Sequence, residues 1–406
     1  MLVVIEINPI SENKELSFCP EKGDKMPEVS VVMPCLNEEK TVGVCIKKCL
    51  KVFKENNIDG EVIVVDNGSV DNSPRVARET GAKVVFEPRK GYGRAYLRGF
   101  SEAGGEYIIT LDADGQHNPQ DIPRFYRYLK HEGYDLVIGF RSKESSLGST
   151  SPFNQYLGNP ILSKILNLFF CTNFSDITSG YRGFRRSALE RLDLRCRGME
   201  LAPEILIKAS KKGLGILEIP IEVKQRVCGK SKLSPLYDGW GTFRLMILFA
   251  PTWLFFIPGI LFFVIGLFLI FAILSGHLTV WGIEFGLHPM IFGAFLAILG
   301  LQVITFGIQS KIYVDWIGLE SRDTITNFVK RNFTVEKGSL VGGLIFIAGV
   351  GGLIYIFNKF VATRSIDEIR LLLLSMTLTV IGLQIIFSAW FLSIFDLVLG
   401  KMEEVT

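Results

Sequence analysis

This sequence predicts an α/β domain on a doubly wound, mainly parallel sheet, followed by an all-α membrane domain of four helices. Three observations carry the prediction. Short runs rich in β-branched residues alternate with helix-like segments as far as about Leu245. Beyond that point lie four apolar stretches, roughly 246–275, 289–309, 339–357 and 371–395, whose interiors hold no Lys, Arg, Asp or Glu. Acidic residues recur where the strand-like runs stop, at Glu38, Asp66, Asp112 and Asp114.

The elements follow in order. Strand 29–33 ends at Pro34-Cys35-Leu36-Asn37-Glu38-Glu39, and a helix over about 41–56 follows. Strand 61–65 ends at Asp66-Asn67-Gly68-Ser69; a helix then starts near Ser73 and leads to strand 83–86. The basic turn Arg89-Lys90-Gly91-Tyr92-Gly93-Arg94 opens a helix that reaches about Ala103. Strand 107–111 runs into Asp112-Ala113-Asp114-Gly115-Gln116-His117. Strand–helix alternation of this kind gives a parallel sheet, and such sheets bind ligands outside the carboxyl ends of their strands. The four acids therefore fall along one rim. A solvated turn accounts for one of them; four together point to a ligand.

Each apolar stretch meets the ~20 residues that a bilayer core demands. The expected spans are about 252–275, 289–309, 339–357 and 371–395, within a membrane domain of 251–399 and before a short tail, 400–406. The loop 276–288 has no Lys or Arg, whereas 310–338 has Lys311, Arg322, Lys330, Arg331 and Lys337. Basic loops stay inside, so the second loop, both termini and the front domain are expected to be cytoplasmic. Loop 358–370, with Lys359, Arg364 and Arg370, dilutes that signal. Two segments suit the headgroup plane: 236–250, with Trp240 and Arg244, and 153–170 (FNQYLGNPILSKILNLFF), which reads equally as a core helix.

The chain has 406 residues, 48% of them hydrophobic, and a formal net charge of +3. That excess is too small, and too scattered, for a nucleic-acid partner. The seven cysteines all lie between Cys19 and Cys228, are odd in number and form no CxxC pair. They read as reduced thiols, not as disulfides or a zinc site. Residues 1–26 read as a leader without the pattern of a cleaved signal peptide, and 27–235 as the front domain.

Carboxylates on a strand-end rim suit a hard cation, Mg²⁺ or Mn²⁺, which grips a diphosphate and stabilises its departure. No GxxxxGK[ST] loop and no GxGxxG after the first strand is present. A nucleotide is thus implied through its diphosphate and a metal.

The motifs VVMPCLNEEKTV, VIVVDNGSVDNS, KGYGRAYLRGF and TLDADGQH resemble the nucleotide-sugar half of family-2 glycosyltransferases with the GT-A fold. SGYRGFRRSAL (179–189), GMELAPEILIKASKKGLGILEIPI (198–221) and QRVCGKSKL (225–233) resemble the second half. With the membrane tail, the chain resembles the polyprenyl-phosphate glycosyltransferases, the dolichyl-phosphate mannose synthase type. The resemblance implies that Pro34, Leu36 and Glu38 line base and ribose and that Asp66 also contacts the nucleoside. It places Asp112, Ala113 and Asp114 at the diphosphate and sugar, and gives Asp114 and Gln116 the metal. Arg141 would face the lipid phosphate, and Arg226 and Lys232 would hold phosphates. The catalytic set it implies is Asp112, Asp114 and Arg141. Asn67 stands where many relatives have a second aspartate. Arg182 reads either as a site residue or as an ordinary ion pair. Glu200 and Glu204 share a helix face, and solvation is expected for at least one of them.

A phosphate monoester, with a second pKa of ~6, is already anionic at neutral pH and calls for positioning more than for a base. That agrees with a front domain whose histidines are His117 and His131, the former expected beside the metal motif rather than as a base. In-line attack would invert the anomeric carbon. The expected reaction moves a hexose from a nucleotide-diphosphate sugar, GDP-mannose first and UDP-glucose next, to a polyprenyl or dolichyl phosphate at the membrane. A homo-oligomer through the membrane helices is compatible with this. Two other classes stay open. One is a processive polysaccharide synthase, whose QxxRW element has no match near Trp240. The other is a non-catalytic nucleotide-sugar-binding membrane protein.

Overall fold

A computed structural model describes residues 26–141, 158–226, 235–274, 276, 278–280, 283–316, 334–365 and 368–403. The chain divides into two units, Met1–Met246 and Ile247–Thr406.

The first unit is an α/β sandwich on a seven-stranded sheet. Its strands are β1 (Val29–Cys35), β2 (Gly60–Asp66), β3 (Lys83–Phe86), β4 (Tyr107–Thr110), β5 (Leu136–Arg141), β6 (Arg182–Arg185) and β7 (Ile216–Ile221). They lie in the order β3-β2-β1-β4-β6-β5-β7. All neighbours are parallel except β6, which runs antiparallel to β4 and β5. This is the GT-A arrangement. The order reverses at β1, between β2 and β4, and that switch point opens the crevice. The register sets Cys35 opposite Asp66 and Val32 opposite Thr110, so the strand ends that carry the acids are neighbours.

Helices α1 (Val42–Glu55), α2 (Ser73–Glu79), α3 (Tyr92–Glu102) and α4 (Ile122–Lys130) fill the crossovers. Helix α1 buries Val42, Cys45, Ile46, Cys49, Val52 and Phe53, the stripe of an amphipathic helix. Two of the cysteines are thus core hydrophobes, and the five described cysteines are unpaired. Next come α5 (Asn159–Phe170), α6 (Arg186–Arg191), α7 (Leu201–Lys211) and α8 (Pro235–Leu248). Helix α5 buries only Ser163 and Leu166 and leaves Ile161 and Leu168 exposed, so 159–170 is a surface helix and not a core helix. Helix α8 presents Tyr237, Trp240, Arg244 and Leu248 on one exposed face.

The second unit holds α9 (Ile257–Leu274), entered through a π-helical turn, Thr252–Phe256, and then α10 (Leu287–Trp316), α11 (Val335–Thr363) and α12 (Ile369–Glu403). Four segments are long and apolar enough to cross a membrane: Thr252–Leu274, Leu287–Ile312, Val335–Thr363 and Ile369–Ile394. Helix α9 packs on α10, and α11 on α12. The approach is close: a Cβ on Gly293 would stand 2.8 Å from the Gly266 carbonyl oxygen. Small residues permit this where lipid supplies no hydrophobic drive between helices. Large apolar side chains such as Phe268, Ile347, Phe357 and Phe387 face outward.

Two expectations change. Helix α10 continues past the apolar run, so Lys311 is not a loop residue. It is 2% exposed, with Nζ 3.4 Å from Thr252 Oγ1, so its charge finds a partner inside the unit. Lys337 likewise lies in α11, while Arg322, Lys330 and Arg331 lie outside the described residues. The segment 276–288 was expected as a plain loop. It contains a hairpin of β8 (Leu278–Val280) and β9 (Ile283–Phe285), both rich in β-prone residues.

Candidate active site

The crevice wall is sewn together by side chains from the turns after β1 and β2. Asn37 adopts a left-handed backbone (φ 53°), and its Oδ1 accepts from the Val70 amide at 2.8 Å. Ser69 Oγ accepts from the Asn37 amide and Ser73 Oγ from that of Glu38. Asp66 is 4% exposed, and its Oδ1 accepts from the Ser69 amide at 3.2 Å. Asp66 thus shapes its own turn. Pro34, Leu36 and Glu38 are partly exposed on the neighbouring turn.

Past β4, Asp112 receives the Tyr96 hydroxyl at 3.2 Å. Burial, and then neighbouring Asp114, push the Asp112 carboxyl above its ordinary pKa, while His117, Tyr96 and Arg226 oppose the rise. Its backbone amide donates to His117 Nδ1 at 3.3 Å. The same nitrogen lies 3.9 Å from the Asp112 carboxylate. The His117 ring packs against that of Tyr181, with centroids 5.2 Å apart. The Ala113 carbonyl accepts from Cys45 Sγ.

Asp114 is nearly buried. Its Oδ1 accepts from the Gln116 amide at 3.0 Å, and its Oδ2 takes Arg226 Nη2 at 2.7 Å. Arg226 Nη1 stands 3.6 Å from Glu38 Oε1. The segment before Arg226 is stitched to the turn after β4: the Lys224 amide donates to the Gln116 carbonyl at 2.9 Å, and Gln116 Nε2 donates to the Lys224 carbonyl at 3.3 Å. One guanidinium thus bridges the acids of two strand ends. Lys232 lies outside the described residues.

Arg141, at the end of β5, forms a bidentate pair with Asp176: Nε to Oδ2 at 2.6 Å and Nη2 to Oδ1 at 2.9 Å, with Thr178 Oγ1 2.6 Å from Nη2. Burial disfavours the Asp176 carboxylate, but Arg141 and the Thr178 hydrogen bonds outweigh it and bring its pKa down to about 2. Arg141 is therefore held rigidly, and two of its nitrogens are committed. Arg182 is 2% exposed and makes no ion pair among the described residues. It donates to the carbonyls of Ser179, Ala202 and Ile177. Glu204 is not solvated either: it is 1% exposed, pairs with Lys208 at 2.8 Å and accepts from the Arg195 and Cys196 amides. Glu200 lies beside Gly198 and Gly241.

The structure thus gathers Glu38, Asp66, Asp112, Asp114, Gln116 and Arg226 at one rim. Sequence reasoning missed Asp176 and Thr178, which fix Arg141. The polar run Ser175-Asp176-Ile177-Thr178 before SGYR was their available signal. Among the described residues, no three His, Cys, Asp or Glu side chains converge to hold a cation. The rim nonetheless draws a guanidinium between Asp114 and Glu38. Such a donor set fits a cation that brings further oxygens with it, as Mg²⁺ does when it shares substrate phosphates.

A GT-A domain with an acidic strand-end rim, on a chain with four membrane-length helices, defines a membrane-bound glycosyltransferase. The glycosyl transferase family 2 signature matches residues 30–193, and the glycosyltransferase family 2 C-terminal transmembrane region matches 308–396. The low-salt glycan biosynthesis hexosyltransferase Agl6 of Haloferax volcanii is 35% identical over 91% of this chain and 89% of its own length. The chain belongs to glycosyltransferase family 2, and it is an integral membrane enzyme. The UDP-N-acetylglucosamine–dolichyl-phosphate N-acetylglucosaminyltransferase of Methanococcus voltae is 32% identical over 48% of this chain and 84% of its own. Among solved structures, glucosyl-3-phosphoglycerate synthase from Mycobacterium tuberculosis, with Mn²⁺, UDP and glucosyl-3-phosphoglycerate, is 24% identical over 54% of this chain and 79% of its own, with a TM-score of 0.43.

Proposed function

We propose that this enzyme transfers a hexosyl unit from a nucleotide-diphosphate sugar to a polyprenyl or dolichyl phosphate at the cytoplasmic membrane face, with inversion. GDP-mannose is the favoured donor and UDP-glucose the next. The observation that carries the reading is the pairing of an acidic, cation-demanding rim with an anchored arginine, Arg141, on a chain that enters the membrane. His117 is committed to a backbone amide, and an anionic acceptor needs no base.

Glu38, Asp66, Pro34 and Leu36 would hold the nucleoside, and Asp112 and Ala113 the diphosphate end. Asp114 and Gln116 would hold Mg²⁺ or Mn²⁺, which when bound neutralises charge on the departing diphosphate. Arg226 then has the diphosphate or the acceptor phosphate to bind in place of Asp114, and Arg141 orients the acceptor. The exposed apolar residues of α5 and α8, Trp240 among them, together with the exposed cation Arg244, suit the headgroup region. Support for the lipid acceptor comes from the dolichyl-phosphate hexose transferase of Haloferax volcanii, 29% identical over 52% of this chain.

The test is to incubate membranes that contain the enzyme with polyprenyl phosphate, Mg²⁺ or Mn²⁺ and a panel of radiolabelled nucleotide sugars, and then to extract the lipid. Label in a mild-acid-labile lipid phosphosugar is expected. Label in polymer alone would support a synthase, and no transfer from any donor would overturn the reading.

A further inference from the structure

Asn67 follows Asp66 at the end of β2 and is 5% exposed. Three of the four hydrogen-bonding valences of its side chain are used, both donors among them. Nδ2 donates to the Glu87 carbonyl at 3.1 Å and to the Arg89 carbonyl at 2.9 Å; Oδ1 accepts from the Gly91 amide at 2.8 Å. Two carbonyls and one amide fix which end of the side chain is nitrogen. The three partners alternate along the loop 87–91, which joins β3 to α3. One amide therefore pins the whole loop to the β2 end. The Glu87 amide reinforces this by donating to the Asp66 carbonyl at 2.9 Å. At its far end the loop is held by Gly91, whose φ of +151° and tight fit to the Arg197 carbonyl oxygen (2.5 Å from an added Cβ) admit only glycine. Between these anchors sits Lys90, whose Cε lies about 4.0 Å from where a Gly68 Cβ would be. Its stem thus crosses the turn that Asp66 shapes.

Resting on the reading of this rim as a nucleotide-sugar site, we infer that Asn67 is a positioning residue for donor binding. It holds the 87–91 loop so that Lys90 stands over the Asp66 turn, where a nucleoside diphosphate meets the rim. An aspartate at 67 accepts the Gly91 amide equally well but cannot donate to two carbonyls. In this chain its charge would face the Glu87 and Arg89 carbonyl oxygens, with both donated bonds lost, and the loop would be held less firmly.

The test uses the full chain in detergent with Mn²⁺ and two probes, GDP and UDP, in wild type, Asn67→Asp and Asn67→Ser. Binding is measured by calorimetry, and trypsin cleavage after Arg89 and Lys90 reports loop freedom. Loss of two buried hydrogen bonds predicts about tenfold weaker binding of the preferred nucleotide or more. It also predicts faster cleavage at those two sites with the rest of the digest unchanged. Turnover at saturating donor should fall much less than donor KM rises. Wild-type affinity and cleavage in Asn67→Asp would overturn the inference, as would full retention by Asn67→Ser should the aspartate variant not fold. A wild type that binds neither nucleotide would instead overturn the nucleotide reading.

Discussion

Arg226 stands between Asp114 and Glu38, and arginine and lysine differ there in a way that kinetics can read. A planar guanidinium reaches two oxygens at once, whereas an ammonium is a point charge. Arg226→Lys is expected to lose much of the rate, with donor binding in the absence of acceptor weakened less, because contacts that tighten in the transition state act on turnover. Near-wild-type turnover in neutral detergent would remove Arg226 from the site. Asp114→Ala is expected to abolish turnover in folded protein. It should also abolish Mn²⁺ binding in the presence of nucleotide, as followed by electron paramagnetic resonance; retained Mn²⁺ binding would exclude Asp114 as a ligand. The Arg141–Asp176 pair makes a prediction on stability. Asp176 has a folded pKa of about 2, below its ordinary value of 3.8. Its contribution is therefore fully present above about pH 4 and is lost as pH falls through about 2. Asp176→Asn should lower stability at neutral pH by about 2 kcal/mol or more, read as a lower unfolding temperature. The gap to wild type should close between pH 4 and pH 2, and a gap independent of pH would refute the assignment.

At the scale of elements, the membrane helices depend on close approach. Helix α9 meets α10 where Gly266 faces Gly293 and Ala297. A side chain at 266 must push backbone atoms apart, so Gly266→Leu is expected to separate the pair and lower the temperature at which the protein aggregates in detergent. Gly343, with nothing near its added Cβ, is the control and should accept Leu silently. Equal losses at both positions would mean that α9 and α10 are not packed this way. The elements of the first unit were mostly legible in sequence, because each is set by local pattern. Strand 29–33 and the helix over 41–56 emerged as β1 and α1 within two residues at each end. The end of α10 was not legible, since Lys311 reads as a loop charge until Thr252 is seen beside it.

At the scale of the whole molecule, four crossings by the four apolar helices would return the chain to its starting side. A tag after Thr406 and a tag within 317–333 are expected to be cytoplasmic, and a tag at 281–282 should be reachable from the opposite face. Protease protection in sealed vesicles reads this directly. An external C-terminus would mean that one apolar helix does not cross. Orientation rests on fewer charges than the loop count first gave. Lys311 and Lys337 lie in helices, and Lys359, whose loop diluted the signal, pairs with Glu368 at 2.8 Å.

The sequence by itself determined the two-part architecture, the strand ends that carry the acids and the apolar spans. Each of these is written in short-range periodicity and in the residues that stop it. Only the tertiary structure decided the partners. Arg226 meets Asp114 across 112 residues and Arg141 meets Asp176 across 35, while Arg182 turns out to hold carbonyls instead of a carboxylate. Asn67 donates both amide hydrogens to the carbonyls of Glu87 and Arg89. These pairings follow from the strand order, above all from β6 inserted antiparallel between β4 and β5. A charge in a sequence states its sign, and what neutralises it depends on which distant backbone the fold brings within 3 Å.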